Sequence, residues 1–353
     1  MRYLKRFLNA GHLAACILGL AVIAGFALSA SGDVVRTSDG TRAAGNDKIV
    51  GAFVRYTRDT IPDPSLMTHL YYAFGIFTDT DGHITVRNPE RFEKILALRA
   101  KNPALKIVLC IGEGPEEGFS EMAASSKKRK TFASECKALM KRYGLAGITL
   151  DWEFPTTTRG GHTAAPDDAE NYVKVMEQLR KTLGKNAELS FYSNNGAAYV
   201  DIAGMLPYVD YVMVSGYNLG LPPKHQSNLY SSEACGDWSV DKSVRKHISA
   251  GVPAGKILLG IPFYARKADG MEVDRDRFDR YLPGRTEVWD DEAKAPYFTD
   301  ADGNMTASFD NERSLGYKAG YIRDHGLAGA FYWHYDNDDS RHTMARTLHG
   351  LLR

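Results

Sequence analysis

Short apolar stretches alternate with amphipathic ones along the chain from about residue 48 onward. The apolar stretches are rich in β-branched and aromatic residues, a composition that favours strands. Eight such candidate strands are Ile49–Tyr56, His69–Phe77, Lys106–Gly112, Gly147–Phe154, Glu188–Ser193, Tyr208–Tyr217, Lys256–Tyr264 and Gly326–His334. Regular alternation of strands with helices is typical of parallel βα units, and eight units predict a closed (β/α)8 barrel, the TIM barrel of the α/β class.

Between the candidate strands, apolar residues recur at helical spacing. One predicted helical face carries Phe132, Cys136, Leu139, Met140 and Tyr143. A second predicted face carries Val240, Val244 and Ile248. Apolar stripes of this kind predict outer helices that pack against the barrel.

The interval between the seventh and eighth candidate strands is unusually long. About sixty residues separate Tyr264 from Gly326, far more than one crossover helix requires. The turn dipeptide Asp302-Gly303 lies between two strand-like stretches in this interval. The pattern predicts a small α+β insertion over residues 267–314, and we expect it to form one wall of a cleft.

The first residues follow the order of a secretory signal. Three basic residues precede an apolar run from Leu13 to Leu28, which small residues follow. We therefore expect a signal peptide or N-terminal membrane anchor over residues 1–30, a flexible leader over 31–47 and the (β/α)8 domain over 48–353. The predicted location is periplasmic, cell-surface or extracellular.

Composition narrows the class of partner. Lys and Arg total 44 against 43 Asp and Glu, so the formal net charge of the 353-residue chain is +1. This balance leaves no excess of positive charge that would indicate nucleic-acid binding, and it favours a neutral ligand. We expect a monomer that needs no cofactor.

Neither cysteine nor histidine spacing indicates a metal site. Cys110, Cys136 and Cys235 follow the signal region as an odd set without CxxC spacing, so they allow at most one disulfide. We interpret Cys110 and Cys136 as small buried hydrophobic residues rather than as disulfide partners. The acidic run Asp336–Asp339 lacks the glycine and glutamate of a calcium loop, and we interpret it as a loop that caps the last helix.

Two acids lie at the end of the fourth candidate strand. Residues two apart on a strand share a face at roughly 6.5–7 Å, which would direct Thr149, Asp151 and Glu153 to the barrel mouth. Neighbouring carboxyl groups split their pKa values, so one can stay protonated and donate to a glycosidic oxygen. The spacing alone also fits an exposed strand end with two unrelated acids.

Residues Tyr143–Pro155 resemble the signature of family 18 glycoside hydrolases, Asp-Gly-x-Asp-x-Asp-x-Glu. Four other segments resemble motifs of that family in the same order: Lys106–Gly112, Ser215–Leu219, Gly260–Arg266 and Gly329–Trp333. The resemblance extends from about residue 48 to the C-terminus. It implies a chitinase-like enzyme that cleaves β-1,4-linked N-acetylglucosamine polymers or oligosaccharides.

The family resemblance also implies a role for each matched residue. In this family the sugar's own 2-acetamido oxygen replaces an enzyme nucleophile. Glu153 would then be the proton donor, Asp151 would orient the acetamido N–H, and Tyr217 would bind the acetamido carbonyl oxygen. Substrate contacts are expected from Asn218, Trp333, Phe74, Tyr264 and Gly112.

Several positions depart from the family pattern. Ala146 and Thr149 replace the first two acids of the signature, Asn218 stands where the family has Asp, and Cys110 where it usually has Ser. We expect a slower enzyme or a shifted pH optimum from the lost charges. The losses leave open a non-catalytic, lectin-like barrel, and an endo-β-N-acetylglucosaminidase that acts on glycans or a peptidoglycan-type polymer.

Overall fold

The protein is described by a computed structural model that covers residues 47–112, 118–158, 161 and 163–353. The predicted signal or anchor over residues 1–30 lies outside the described residues. The same holds for the predicted leader over 31–47 except Asp47. Among the helices that the structure describes, none combines the length and apolar character that a membrane span requires.

The strands of the described part are short and mostly buried. In chain order they are β1 (Ile49–Arg55), β2 (His69–Phe77), β3 (Ile84–Val86), β4 (Lys106–Gly112), β5 (Gly147–Asp151), β6 (Glu188–Ser193), β7 (Tyr211–Val214), β8 (Ile257–Pro262), β9 (Ala265–Lys267), β10 (Glu272–Val273), β11 (Thr286–Asp290), β12 (Ala295–Thr299), β13 (Met305–Ser308) and β14 (Gly329–Trp333).

The α-helices of the described part are interspersed with groups of these strands along the chain. They are α1 (Pro89–Leu96), α2 (Phe119–Ala124), α3 (Ser126–Tyr143), α4 (Asp168–Leu183), α5 (Ile202–Met205), α6 (Val240–Ser249), α7 (Phe278–Tyr281), α8 (Glu312–Asp324) and α9 (Thr343–Leu352).

Eight parallel strands close into a barrel. Their order is β1-β2-β4-β5-β6-β7-β8-β14, and β1 pairs with both β2 and β14. The short β3 pairs antiparallel with β2 outside this ring. The (β/α)8 fold predicted from the sequence is therefore confirmed, and each of the eight candidate strands contains one barrel strand.

Several barrel strands are shorter than predicted, and two of these, β5 and β7, end near the candidate site. The fourth barrel strand, β5, ends at Asp151 and not at Phe154, because its pairing with β6 stops at Leu150 and its pairing with β4 stops at Asp151. The sixth covers only Tyr211–Val214 of the predicted Tyr208–Tyr217. Glu153 and Tyr217 consequently lie on loops that leave the barrel rim.

The barrel interior is filled mainly by aromatic and aliphatic side chains. Phe53 stacks on Tyr71 with ring centroids 5.0 Å apart and meets Phe331 edge to face at 5.5 Å. Cys110 and Met213 belong to the same buried cluster. Cys110, Cys136 and Cys235 are all buried free thiols, which confirms the prediction for Cys110 and Cys136.

One of the two predicted helical faces needs correction. In α3, Phe132 and Cys136 are buried as expected, whereas in α6 Ile248 is 41% exposed. His247 occupies the buried face instead, with 0% exposure. At about 100° per residue, position 247 falls within roughly 20° of Val240, whereas 248 lies about 80° away.

The long interval after β8 forms a separate antiparallel sheet. Its strand order is β10-β9-β13-β12-β11, and the β12–β13 hairpin encloses Gly303 with a φ of +85°. Phe278 of α7 packs against Phe298 and Phe309 on one side of this sheet. The boundaries 267–314 remain a prediction, and β9 starts two residues before them.

The opposite end of the barrel holds a buried polar cluster around Glu188, the first residue of β6. His69 Nε2 lies 3.0 Å from Glu188 Oε2, and Lys106 Nζ lies 3.4 Å from the same oxygen. Burial by itself raises the pKa of Glu188, but these two partners outweigh it and the pKa is lowered. This cluster sits at the N-terminal ends of the strands, where residues serve stability.

We predict that stability falls on acidification through His247. Burial lowers the pKa of this imidazole from 6.5 to about 4, and Ser243 O and Ser193 Oγ both lie 2.8 Å from its nitrogens. Between these two values the unfolded chain binds the proton and the folded chain does not, so stability present above pH 6.5 is lost as the pH falls toward 4. The loss amounts to about 3 kcal/mol at most.

Urea unfolding at about pH 7.5 and about pH 5 measures this loss, and His247→Gln should flatten the difference between the two curves. An identical pH dependence in the wild type and the variant would contradict the assignment.

Candidate active site

The candidate site lies at the carboxyl ends of the barrel strands. Asp151 is the last residue of β5, and Trp333 is the last residue of β14. Glu153 follows β5 by two residues and Tyr217 follows β7 by three. Parallel strands deliver their C-terminal ends to one rim, so residues far apart in sequence meet there.

The two carboxylates differ in their surroundings. Asp151 is half-buried, whereas Glu153 is exposed and accessible to a substrate. The expected strand geometry for this pair is wrong, because Glu153 lies beyond the end of β5. Both acids nevertheless lie near Tyr192 and Tyr217, whose pKa values are raised mainly by burial and further by these two carboxylates.

Gly112 makes room for Asp151. The two residues are opposite each other in the β4–β5 register. A Cβ atom at position 112 would lie 2.6 Å from Asp151 O and 2.7 Å from Asp151 Cβ. Gly112 was expected to contact substrate; the structure gives it a steric role in the placement of Asp151.

Tyr217 is a buried phenol beside the acids. Burial, followed by Tyr192, Tyr264 and the two carboxylates, raises its pKa well above 10.0. The hydroxyl group therefore keeps its proton at neutral pH and can donate a hydrogen bond. Ser215 Oγ donates to Tyr217 O at 3.1 Å and holds the turn.

Asn218 and Tyr264 form a direct pair. Tyr264 Oη donates to Asn218 Oδ1 at 2.8 Å, so the amide presents its Nδ2 donor. Asn218 is exposed and has a φ of +57°, in the left-handed region that Asn tolerates. Tyr264 itself is 1% exposed, the exposure of a core residue that orients its neighbour.

Trp333 packs against two aromatic side chains. Its ring centroid lies 5.5 Å from that of Phe53 and 6.1 Å from that of Phe74. The Arg55 guanidinium carbon lies 5.6 Å from the indole centroid. Phe74 is 1% exposed, so it supports Trp333 and offers no open face of its own.

Thr149 stands where the family signature has its second acid, and its side chain is neutral and buried. Thr149 is 1% exposed, and its Oγ1 lies 3.3 Å from Met213 Sδ. Met213 also receives Ser190 Oγ at 3.9 Å. The interior beneath Asp151 is thus built from neutral, weakly polar groups.

Three aromatic residues that the sequence motifs did not indicate also lie near the acids. Tyr192 ends the inward face of β6 and interacts with Ser215 and Tyr217. Phe154 stacks on Tyr192 at 6.5 Å and on the 39% exposed Tyr199 at 5.4 Å. Period-two alternation along β6 would have directed Tyr192 inward, but no local pattern marks Tyr199.

The described residues contain no group of three or more His, Cys, Asp or Glu side chains that could hold a metal ion. The acidic run after β14 instead caps α9, as predicted. Asp338 accepts hydrogen bonds from the backbone of Met344 and Ala345, at 3.1 and 2.9 Å.

The sequence is similar to those of known glycoside hydrolases. The model of glycosyl hydrolases family 18 matches residues 45–338. Chitinase A1 of Niallia circulans is 28% identical over 294 residues, which span 69% of this chain but only 42% of that enzyme. Chitotriosidase-1 of Mus musculus is 27% identical over 78% of this chain and 68% of its own length.

Solved structures show the same likeness. A family 18 N-acetylglucosaminidase from Paenibacillus barengoltzii superposes with a TM-score of 0.78 at 28% identity, over 87% of this chain and all of that one. The chitinase domain of the spore coat protein CotE from Clostridium difficile is 30% identical over 90% of this chain and 95% of its own, with a TM-score of 0.64. This chain belongs to glycoside hydrolase family 18 and is a chitinase-like glycosidase.

Proposed function

We propose that the domain hydrolyses β-1,4-linked N-acetylglucosamine chains by substrate-assisted retaining catalysis. The observation that carries the proposal is the convergence of exposed Glu153, half-buried Asp151 and the protonated hydroxyl of Tyr217 at the barrel rim. The names of several relatives, chitinases and an N-acetylglucosaminidase, support this substrate class.

Glu153 serves as the proton donor. It is the more exposed of the two acids, so its carboxyl group can reach the glycosidic oxygen of a bound chain. Protonation of that oxygen lets the leaving sugar depart as an alcohol, and the resulting carboxylate then activates water. Asp151, held in place by the room that Gly112 leaves, remains the neighbouring charge.

The acetamido group of the sugar acts as nucleophile. Its carbonyl oxygen attacks the anomeric carbon while Tyr217 donates a hydrogen bond to that oxygen and Asp151 accepts one from the amide N–H. Attack within one molecule replaces a bimolecular step, which removes the need for an enzyme nucleophile. The raised pKa of Tyr217 keeps its proton available for this role.

Trp333 provides an apolar surface against which a sugar ring can rest. The rings of Phe53 and Phe74 fix the indole from below, so stacking costs little side-chain entropy. The Nδ2 group of Asn218 supplies a neutral donor where the family has a carboxylate. The export predicted from residues 1–30 would bring this site to an extracellular or periplasmic polymer.

Replacement of the proton donor tests the hydrolase proposal. We expect Glu153→Gln to lower kcat on a chromogenic chitobiose or chitotriose glycoside about 10²- to 10⁴-fold, because the amide cannot protonate the leaving oxygen. Glu170→Gln, at a 73% exposed side chain on α4, should keep full activity.

Equal rates of the wild type and Glu153→Gln would overturn the hydrolase proposal. If the wild type binds chitooligosaccharides without turnover, the lectin-like alternative is correct.

Restoring a carboxyl group at position 149 should shift the pH profile. An added acid beside Asp151 raises the pKa of nearby carboxyl groups, so Glu153 stays protonated longer and the alkaline limb of kcat/KM moves to higher pH. Thr149→Asp should also lower the melting temperature, because Met213 Sδ offers the new acid no proton. The neutral control Thr149→Val should leave the profile in place, and coincident profiles of both variants would refute this explanation.

A methyl group at position 112 should displace Asp151. We expect Gly112→Ala to lower kcat about 10- to 100-fold, because a shift of about 1 Å in a catalytic group has an effect of this size. The matched control is Gly255→Ala, where an added Cβ meets no atom within 4 Å. Unchanged kcat for Gly112→Ala would show that the β4–β5 contact does not position Asp151.

A further inference from the structure

A buried ion pair lies behind the candidate site, outside the catalytic residues. Lys318 of α8 and Asp310, which precedes that helix, both have side chains that are 0% exposed. Lys318 Nζ is 2.6 Å from Asp310 Oδ2, and Ser314 Oγ donates to Asp310 Oδ1 at 2.6 Å. Both oxygens of the carboxylate are therefore engaged, which is how a buried charge is tolerated.

The ammonium group has a second partner, Ser227, in the loop between β7 and α6. Lys318 Nζ donates to Ser227 Oγ at 2.6 Å, and Ser227 Oγ donates to the carbonyl oxygen of Gly216 at 2.6 Å. An ammonium group has only donors, so the hydroxyl must accept from it. The single proton of Ser227 is consequently directed to Gly216, and a charged donor strengthens such a chain.

Gly216 immediately precedes Tyr217, and its backbone has little freedom to move. A Cβ atom there would lie 2.3 Å from the carbonyl oxygen of Gly260, so the peptide passes close against β8. The same turn is closed by a hydrogen bond from Leu219 N to Gln226 O at 3.0 Å. The Lys318–Ser227 chain thus binds the peptide oxygen of the residue immediately before Tyr217.

We propose that Lys318 is a positioning residue that holds Tyr217 through Ser227 and the carbonyl group of Gly216. The proposal rests on the role given above to Tyr217 in binding the acetamido oxygen. Asp310 follows β13 closely, so this chain of contacts also links the inserted sheet to the catalytic turn. Lys318 itself touches no substrate in this arrangement.

The expected signature is a loss in kcat with little change in KM. Tyr217 acts on an oxygen whose charge changes during the attack, so its misplacement weakens the transition state more than the bound substrate. We expect Ser227→Ala, which leaves the ion pair intact, to lower kcat about 10-fold and KM less than about twofold. Affinity for a thiazoline analogue of the cyclised sugar should fall by the same factor as kcat.

Lys318→Met in combination with Asp310→Asn removes both charges and should reproduce this loss. If that double variant does not fold, Ser227→Ala carries the test alone. The matched control is Ser243→Ala, which deletes another fully buried hydroxyl, one that donates to Ser239 O at 3.0 Å. It should keep kcat, and melting temperatures of all variants separate global destabilisation from the loss in rate.

A double-mutant cycle with Tyr217→Phe decides between positioning and a general packing effect. If Ser227 acts through the Tyr217 hydroxyl, Ser227→Ala should cost less than about twofold in the Tyr217→Phe background, for kcat or for thiazoline affinity. A full 10-fold loss in that background, or an unchanged kcat for Ser227→Ala alone, overturns the proposal. An inactive wild type would instead refute the hydrolase function itself.

Discussion

Closure of the parallel barrel is the constraint on which the rest of the structure depends. The pairing of β1 with both β2 and β14 leaves no free edge in the ring and aligns the carboxyl ends of all eight strands at one rim. Asp151 and Trp333 reach the candidate site because each ends a strand of this ring. The opposite rim carries the Glu188 cluster. The candidate catalytic residues therefore lie at one end of the barrel, and a cluster that serves stability lies at the other.

The site combines an acidic rim with a neutral interior. Beneath Asp151 the barrel contains Thr149 and Met213, whose side chains are neutral, and Cys110, which belongs to the same buried cluster as Met213. Asp151 therefore lacks the buried carboxyl partner that the family signature provides. The phenols beside the acids, Tyr192 and Tyr217, have pKa values that burial raises well above 10.0, so both keep their protons, and the placement of Tyr217 gains importance.

That placement depends on parts of the chain that are remote in sequence. The turn that carries Tyr217 is bound by Ser227 on one side and packs against Gly260 of β8 on the other. The inserted sheet and α8 supply the ion pair that orients Ser227. A short catalytic turn beyond the end of its strand is in this way held by the surrounding domain.

The sequence by itself predicted the barrel, because short apolar stretches and amphipathic stretches at helical spacing each reflect local geometry alone. It also singled out Glu153, Asp151 and Tyr217 as the catalytic candidates and Trp333 as a substrate contact. Only the tertiary structure decided where β5 ends, why Gly112 is needed, that Phe74 and Tyr264 are buried, and that Lys318 lies behind the site. These properties arise from contacts between distant strands, loops and the insertion, and such contacts leave no periodic trace along the chain.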